Sequence, residues 1–167
     1  MARDDFTRWL YRGQRPNRLA KILNRVWTAV GASGVASTYL VTLEVRGRKS
    51  GRVITLPLVV AWVDGQRYLV SMLGENVAWV RNVRAAGGKA VLRHSGREEI
   101  RLEEVPPGQR APVLKAYLNR APGARPHIPV DKDAPLSEFE KIAAGIPVFQ
   151  VLAESQPVHP TGPDELP

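Results

Sequence analysis

The chain has 167 residues, 44% of them hydrophobic and 24% charged, which is typical of one globular domain and excludes a disordered or fibrous chain. It has no cysteine, so disulfides, thiolate metal sites and a cysteine nucleophile are excluded as well. The net charge is +8, and the whole excess lies in residues 1–52, which hold 11 basic and 3 acidic residues. Such an excess attracts an anion, and the candidates are nucleic acid, an acidic membrane surface and a phosphorylated cofactor.

Residues 1–36 predict a basic helical segment. After a short helix over 5–12, apolar residues recur at helical spacing over 19–30, and Asn17 and Gly31 are suitable ends for this second helix. Its opposite face is basic, so the sequence leaves open whether the helix packs on the domain or lies on a membrane surface. No apolar run is long enough to span a bilayer and no signal segment is recognisable. We therefore expect a cytoplasmic protein, either free or peripheral to the membrane.

The middle of the chain, residues 37–152, predicts a single α+β domain. Its first strands form an antiparallel meander, with strands over 38–45, 53–63 and 66–73. Asp64-Gly65, between the second and third strands, is favoured in a two-residue type I′ hairpin.

Further elements complete this domain. A helix over 76–86, capped by Asn76, is followed by strands over 89–94 and 97–105. Next come a helix over 106–120, which Pro112 ends or kinks in its first turn, and a proline-rich loop over 121–135. A short helix with capping-box spacing at Ser137 and Glu140 and a sixth strand over 147–152 follow. Six mostly antiparallel strands with short helices suit a small closed barrel, which has no exposed sheet edges. The tail, residues 153–167, holds four prolines and is expected to be disordered.

The turn between the first two strands, Gly47-Arg-Lys-Ser-Gly-Arg52, is the first candidate site. Glycine at both ends lets the backbone aim successive N–H groups into an anion-binding nest, to which Arg48 and Lys49 add charge and Ser50 a hydroxyl. The alternative is an ordinary solvated hairpin turn, since these residue types are common in turns. Composition alone does not decide between the two.

The second candidate site is the segment from Ser71 to Asn82, in which a helix beginning near residue 76 would direct its free N–H groups towards an anion. Trp79 and Asn82 are three residues apart and therefore share a helix face. The alternative places Trp79 in the core and leaves Asn82 as a solvated polar residue.

Other chemistries have little support in the sequence. A G-x-S-x-G nucleophile elbow is lacking, so serine hydrolysis is not indicated. The three histidines lie 32 or more residues apart and form no local ligand pair, so we expect no metal site. No nucleic-acid-reading motif accompanies the basic residues, so we expect no nucleic-acid partner.

Five short segments, taken together, resemble the deazaflavin-dependent nitroreductase family: Gly47-Arg-Lys-Ser-Gly51, Thr55-Leu-Pro-Leu58, Asp64-Gly65, Ser71 with Gly74, and Trp79-x-x-Asn82. The resemblance runs from about residue 38 to 151 and implies a split β-barrel of the FMN-binding-like type. It further implies that the protein binds the deazaflavin coenzyme F-420 and transfers a hydride from the reduced cofactor to a small organic acceptor, namely a quinone, an enone or a nitroaromatic compound.

The resemblance also implies which residues surround the cofactor: Arg48, Lys49 and Ser50 at its phosphate, Thr55, Leu56, Pro57 and Leu58 along its ring, and Ser71, Gly74, Trp79 and Asn82 around the rest of the pocket. It implies no catalytic side chain, because the cofactor itself carries the hydride. The anionic phosphate and polyglutamate tail of that cofactor agree with the basic excess of residues 1–52.

Two alternatives share the same fold. One is an oxidoreductase that uses FMN. The other is a non-catalytic protein that binds a cofactor or a lipid, because residues 125–146 contain no tyrosine where members that reduce nitroimidazoles carry several. The sequence leaves open whether the protein is a monomer or a homodimer.

Overall fold

A computed structural model describes residues 39–154. Its strands are β1 (Leu40–Arg46), β2 (Val53–Val63), β3 (Gln66–Val70), β4 (Lys89–Arg93), β5 (Arg97–Glu104) and β6 (Val148–Ala153), and its α-helices are α1 (Ala78–Ala85), α2 (Ala111–Arg120) and α3 (Leu136–Ile142). Short 3₁₀ turns span Pro107–Gln109, Pro122–His127 and Ala143–Gly145. The predicted N-terminal helices lie outside the described residues, as does the tail from residue 155.

The six strands close into one antiparallel barrel in the order β1-β2-β3-β6-β5-β4. Every neighbouring pair is antiparallel, and β1 closes the barrel by pairing with β4 as well as with β2. This confirms the predicted α+β split barrel with short flanking helices. Asp64 and Gly65 have φ angles of 49° and 74°, as a type I′ turn requires, and so confirm the predicted hairpin.

One apolar cluster fills the barrel. Because strand side chains alternate between the two faces, apolar residues at alternate positions of the strands form this cluster, among them Leu43, Leu69, Ile100 and Phe149. Helix α1 adds Trp79, Val80 and Val83 to the same cluster. The barrel core therefore fixes the position of α1.

A second apolar cluster covers the outside of part of the barrel. Helices α2 and α3 supply Leu114, Leu118 and Phe139, which pack over Val59 and Val148. All five side chains are nearly or fully buried. Helices thus cover the barrel along β2 and β6, and this outer layer buries apolar surface in addition to that buried in the barrel interior.

Several predicted helix ends were wrong. Helix α1 begins at Ala78 after Val77, and no side chain caps it; Asn76 instead accepts a hydrogen bond from Arg81. Ser137 is not a cap either, because α3 already begins at Leu136, after Pro135. Pro135 sets the start of α3 and a local turn sets the start of α1, so neither start depends on a capping side chain.

The region around Pro112 also differs in detail from the prediction. A 3₁₀ turn over Pro107–Gln109 precedes α2, which begins at Ala111 with Pro112 inside its first turn, where a proline costs no helical hydrogen bond. The expected loop that follows contains a 3₁₀ turn over Pro122–His127. Pro112 thus marks the start of the helix and does not kink it.

Candidate functional site

The turn between β1 and β2 depends on its two glycines. The N–H of Gly47 donates to the carbonyl of Arg52 at 2.7 Å, and the N–H of Gly51 donates back to the carbonyl of Gly47 at 2.8 Å. A Cβ on Gly47 would lie 2.9 Å from the Cδ1 of Ile54, and Gly51 has a φ of +68°. Both positions therefore favour glycine, one for space and the other for its backbone conformation.

This hydrogen bonding uses many of the backbone N–H groups that the predicted nest would offer to an anion. Besides the two glycines, Arg52 donates its N–H to Ser50 Oγ at 3.2 Å, and Arg48 donates its N–H to Asn82 Oδ1 at 3.2 Å. Four N–H groups of the turn are thus already used within the protein. The N–H groups of Lys49 and Ser50 make no hydrogen bond within residues 39–154, so a backbone nest at this turn is limited to these two groups.

The side chains of the turn are basic and exposed. Arg48, Lys49 and Arg52 all lie on the surface. Within residues 39–154 none of the three has a carboxylate within 4.0 Å, whereas Arg67 and Arg84 are each paired with a glutamate. The positive charge of the turn is therefore not neutralised by the described part of the chain.

Helix α1 brings the second predicted motif to this turn. Asn82, 34 residues further along the chain, also accepts a bond from Arg48 Nη1 at 3.0 Å. Asn82 is only 2% exposed, so the interpretation as a solvated surface residue was wrong. Trp79 is 7% exposed, belongs to the barrel core and packs against Phe149 with ring centroids 5.6 Å apart.

Among residues 39–154, strand β2 has one edge without a strand partner in its first half. Residues 60–63 pair with β3, whereas residues 53–59 pair within this range with β1 alone. Thr55 to Leu58 lie in this half; Leu56 and Leu58 face the barrel interior, where Leu58 is half-buried. Pro57 fits such a position because it has no N–H to offer to a second strand. The unpaired edge begins directly after the basic turn.

Ser71 and Gly74 shape the turn that connects β3 to α1. Ser71 Oγ donates to the carbonyl of Gly74 at 2.7 Å, and the N–H of Ser71 donates to the carbonyl of Pro147 at 2.9 Å. Gly74 has a φ of +83°, and a Cβ there would lie 3.3 Å from the carbonyl oxygen of Gly145. The two residues thus hold this turn against residues 143–147.

Arg110 is a residue that the sequence analysis missed. Its guanidinium is 4% exposed and donates to the carbonyls of Val105, Ala143 and Ile146 at 2.7, 3.0 and 3.2 Å. Burial lowers the pKa of Arg110, and the charge of Glu104 opposes this effect. Arg110 therefore fixes the segment on which the Ser71–Gly74 turn rests. No local motif marks it, because three of its five partners are backbone carbonyls 33 to 36 residues away.

The arrangement fits a ligand with an anionic end and a flat body. Within the described part of the chain, the cations of the turn have no carboxylate partner, and a strand edge without a strand partner continues from it. A model of the F420H(2)-dependent quinone reductase family matches residues 18–124. The chain belongs to this family. It is therefore an oxidoreductase that uses reduced coenzyme F-420 as hydride donor for a small organic acceptor, which confirms the prediction from the sequence.

Solved structures support the fold. One chain described as a domain-swapped dimer has a TM-score of 0.50 and 19% identity, and the match covers 89% of this chain and 98% of that one. A conserved hypothetical protein from Mycobacterium tuberculosis has a TM-score of 0.50 and 17% identity, over 76% of this chain and 80% of that one. An F420-H2 dependent reductase has a TM-score of 0.48 and 19% identity, over 68% and 94%. None of the curated proteins compared with this chain matches it.

Between residues 39 and 154, none of the helices has the length and apolar character to cross a membrane.

Proposed function

We propose that Arg48 and Lys49 bind the phosphate of F-420, and that Ser50 assists them. The observation that supports this is the absence of any carboxylate within 4.0 Å of either cation in residues 39–154. Ser50 Oγ accepts a bond from the N–H of Arg52, so its own hydrogen remains available to an anion. Arginine and phosphate match well, since the planar guanidinium can donate two parallel bonds.

The ring of the cofactor is proposed to lie along the unpaired edge of β2, over Thr55, Leu56, Pro57 and Leu58. Backbone groups on this edge have no strand partner among the described residues, so they can bind the polar edge of a flat heterocycle. Ser71 and Gly74 would border this region through the turn that they hold in place. Trp79 and Asn82 would support it from α1, because both are almost fully buried.

The protein's contribution to the reaction is binding, orientation and exclusion of water. The bound cofactor supplies the hydride chemistry. The charged turn holds the anionic end of the cofactor. The edge of β2 fixes the plane of the ring, and the half-buried Leu58 presents an apolar surface to it. A dry, apolar surface protects a hydride from loss to water.

The acceptor that we propose is a quinone. The family is named for quinone reduction, and the family model matches more than half of this chain. Reduction of a quinone to a hydroquinone needs one hydride and one proton in total. Among the four β1 residues that pair with Thr55 to Leu58, the one titratable side chain is Glu44, which faces Thr55 and is bound to Arg93. The proton that reduced F-420 loses on oxidation balances the one that the quinone gains, so we expect no side chain of the protein to donate it.

A fluorescence titration tests the proposal. The purified full-length protein is titrated with F-420 and, separately, with FMN, and is then supplied with reduced F-420 and a soluble quinone. Saturable binding of F-420 together with quinone-dependent oxidation of the reduced cofactor is the expected result. Binding of FMN alone would assign the barrel to flavin chemistry, and F-420 binding without oxidation by any quinone would overturn the proposed acceptor.

A further inference from the structure

Arg48 and Asn82 are joined by two hydrogen bonds to one atom. Asn82 Oδ1 accepts from the backbone N–H of Arg48 at 3.2 Å and from its Nη1 at 3.0 Å. A backbone N–H can only donate, so the atom that faces it must be the amide oxygen, which fixes the orientation of the Asn82 side chain. Asn82 is 2% exposed while Arg48 is on the surface, so a buried residue holds an exposed one.

This contact restricts the arginine before any ligand arrives. A free arginine side chain has many rotamers and loses that freedom when it binds an anion, which weakens binding. Two bonds to a buried amide limit both the backbone and the guanidinium of Arg48. The guanidinium has five N–H donors and uses one of them on Asn82, so most remain available to a ligand.

The choice of an amide also preserves charge. Arg67 and Arg84 are each held by a glutamate, and such a pair has little net charge left for a ligand. Asn82 holds Arg48 with a neutral oxygen, so the full positive charge of Arg48 remains. An aspartate at the same position would make the same bonds and cancel that charge.

We infer that Asn82 is a positioning residue, which orients Arg48 for the anionic end of the cofactor without neutralising it and acts on cofactor affinity only through Arg48. This inference rests on the proposed role of Arg48 at the phosphate of F-420. It differs from the role that the family resemblance implies for Asn82, which is direct contact with the cofactor.

A double-mutant cycle on F-420 affinity tests the inference. The dissociation constant is measured by fluorescence for the wild type, Arg48→Ala, Asn82→Ala and the double variant. Arg48→Ala is expected to weaken binding about 10- to 150-fold, and Asn82→Ala about 3- to 10-fold. The double variant should match Arg48→Ala within about twofold, since two residues that act through one contact are not additive.

The outcomes separate this inference from the proposed function. If Asn82→Ala weakens binding as much in the Arg48→Ala background as in the wild type, Asn82 acts independently and the inference is wrong, while the role of Arg48 stands. If Arg48→Ala leaves affinity unchanged, the phosphate role of Arg48 is wrong and the inference fails with it.

An isosteric variant guards against simple loss of packing. Asn82→Asp keeps the size and the acceptor oxygen, so it should unfold at the same temperature as the wild type within a few degrees. It should nevertheless bind F-420 at least as weakly as Asn82→Ala, because the carboxylate cancels the charge of Arg48. Wild-type affinity in Asn82→Asp would show that neutrality at this position does not matter and would overturn the inference.

Discussion

The backbones of Gly88 and Leu102 are in direct contact. The N–H of Leu102 donates to the carbonyl of Gly88 at 2.8 Å, and a Cβ on Gly88 would lie only 2.3 Å from the carbonyl oxygen of Leu102. Gly88 also has a φ of +84°. This contact joins the turn that follows α1 to β5, so it helps to hold in place the helix that carries Asn82.

Replacement of Gly88 by alanine should be strongly destabilising. Both the close approach to Leu102 and the positive φ oppose a side chain, so we expect the free energy of unfolding to fall by about 3 kcal/mol or more. Gly87→Ala is the matched control, because Gly87 has a φ of +64° but no atom within 4 Å of its Cβ position. Only the backbone strain applies there, about 1–2 kcal/mol. Equal losses in urea unfolding of the two variants would contradict the role of the Leu102 contact.

Glu104 should give the fold part of its acid sensitivity. A hydrogen bond from Arg84 lowers the pKa of Glu104 below its usual range. Burial raises this pKa in part, and the positive charges of Arg84 and Arg110 lower it further. A carboxylate whose pKa is lower in the folded state stabilises the fold above its unfolded pKa of about 4.3. That contribution is lost as the pH falls through the lower folded pKa.

Glu104→Gln should therefore reduce stability at neutral pH and flatten its decline in acid. The side chain is 31% exposed, so solvent screening limits the expected loss at pH 7 to about 1 kcal/mol. Glu103→Gln is the control, since the neighbouring Glu103 is exposed and makes no ion pair within residues 39–154. Urea unfolding between pH 3 and pH 7, in steps of about one unit, measures both variants. A parallel decline of wild type and Glu104→Gln would refute the assignment.

Lys49 should contribute to F-420 binding through its charge. Lys49→Ala removes a cation that has no carboxylate partner in the described part of the chain, so the affinity should fall by about 1.5–3 kcal/mol if the ammonium contacts the phosphate. Arg101→Ala is a suitable control, because Arg101 is an exposed cation on β5, which is separated from β1 by β4. Titrations at low and high salt measure the effect, and added salt should weaken the wild type more than Lys49→Ala. Equal losses in the two variants would indicate a general charge effect instead of a site.

The features that the sequence predicted well are those that neighbouring residues determine. The strands predicted over 38–45, 53–63 and 66–73 are present as β1, β2 and β3, and Asp64-Gly65 alone specified the hairpin type, because its two positive φ angles are a local requirement. The helix starts at Asn76 and Ser137 were wrong because a side chain able to cap does not have to do so. The start of α3 follows from Pro135, which a capping-box pattern does not take into account.

Contacts between residues that are far apart in the chain could not be predicted from the sequence. Arg48 and Asn82 were both singled out, but their contact spans 34 residues and depends on the closure of the barrel, which packs α1 into the core. The loss of the Arg48 N–H from the predicted nest has a related cause, because that group donates to Asn82. Arg110 gave no signal at all, since its partners are mostly carbonyl groups about 35 residues away, which no spacing rule reveals.

Trp79 should matter for stability more than for cofactor affinity. Its ring is 7% exposed and lies at 56° to that of Phe149, so a ligand can reach little of it. Trp79→Phe removes part of a core ring and should lower the free energy of unfolding by about 1–3 kcal/mol, while the dissociation constant for F-420 changes less than about threefold. Trp62→Phe is the matched control, because Trp62 is 49% exposed and should change neither quantity appreciably. A large loss of affinity in Trp79→Phe with unchanged stability would instead place the indole against the cofactor, and the ring of F-420 would then have to reach past the edge of β2 towards α1.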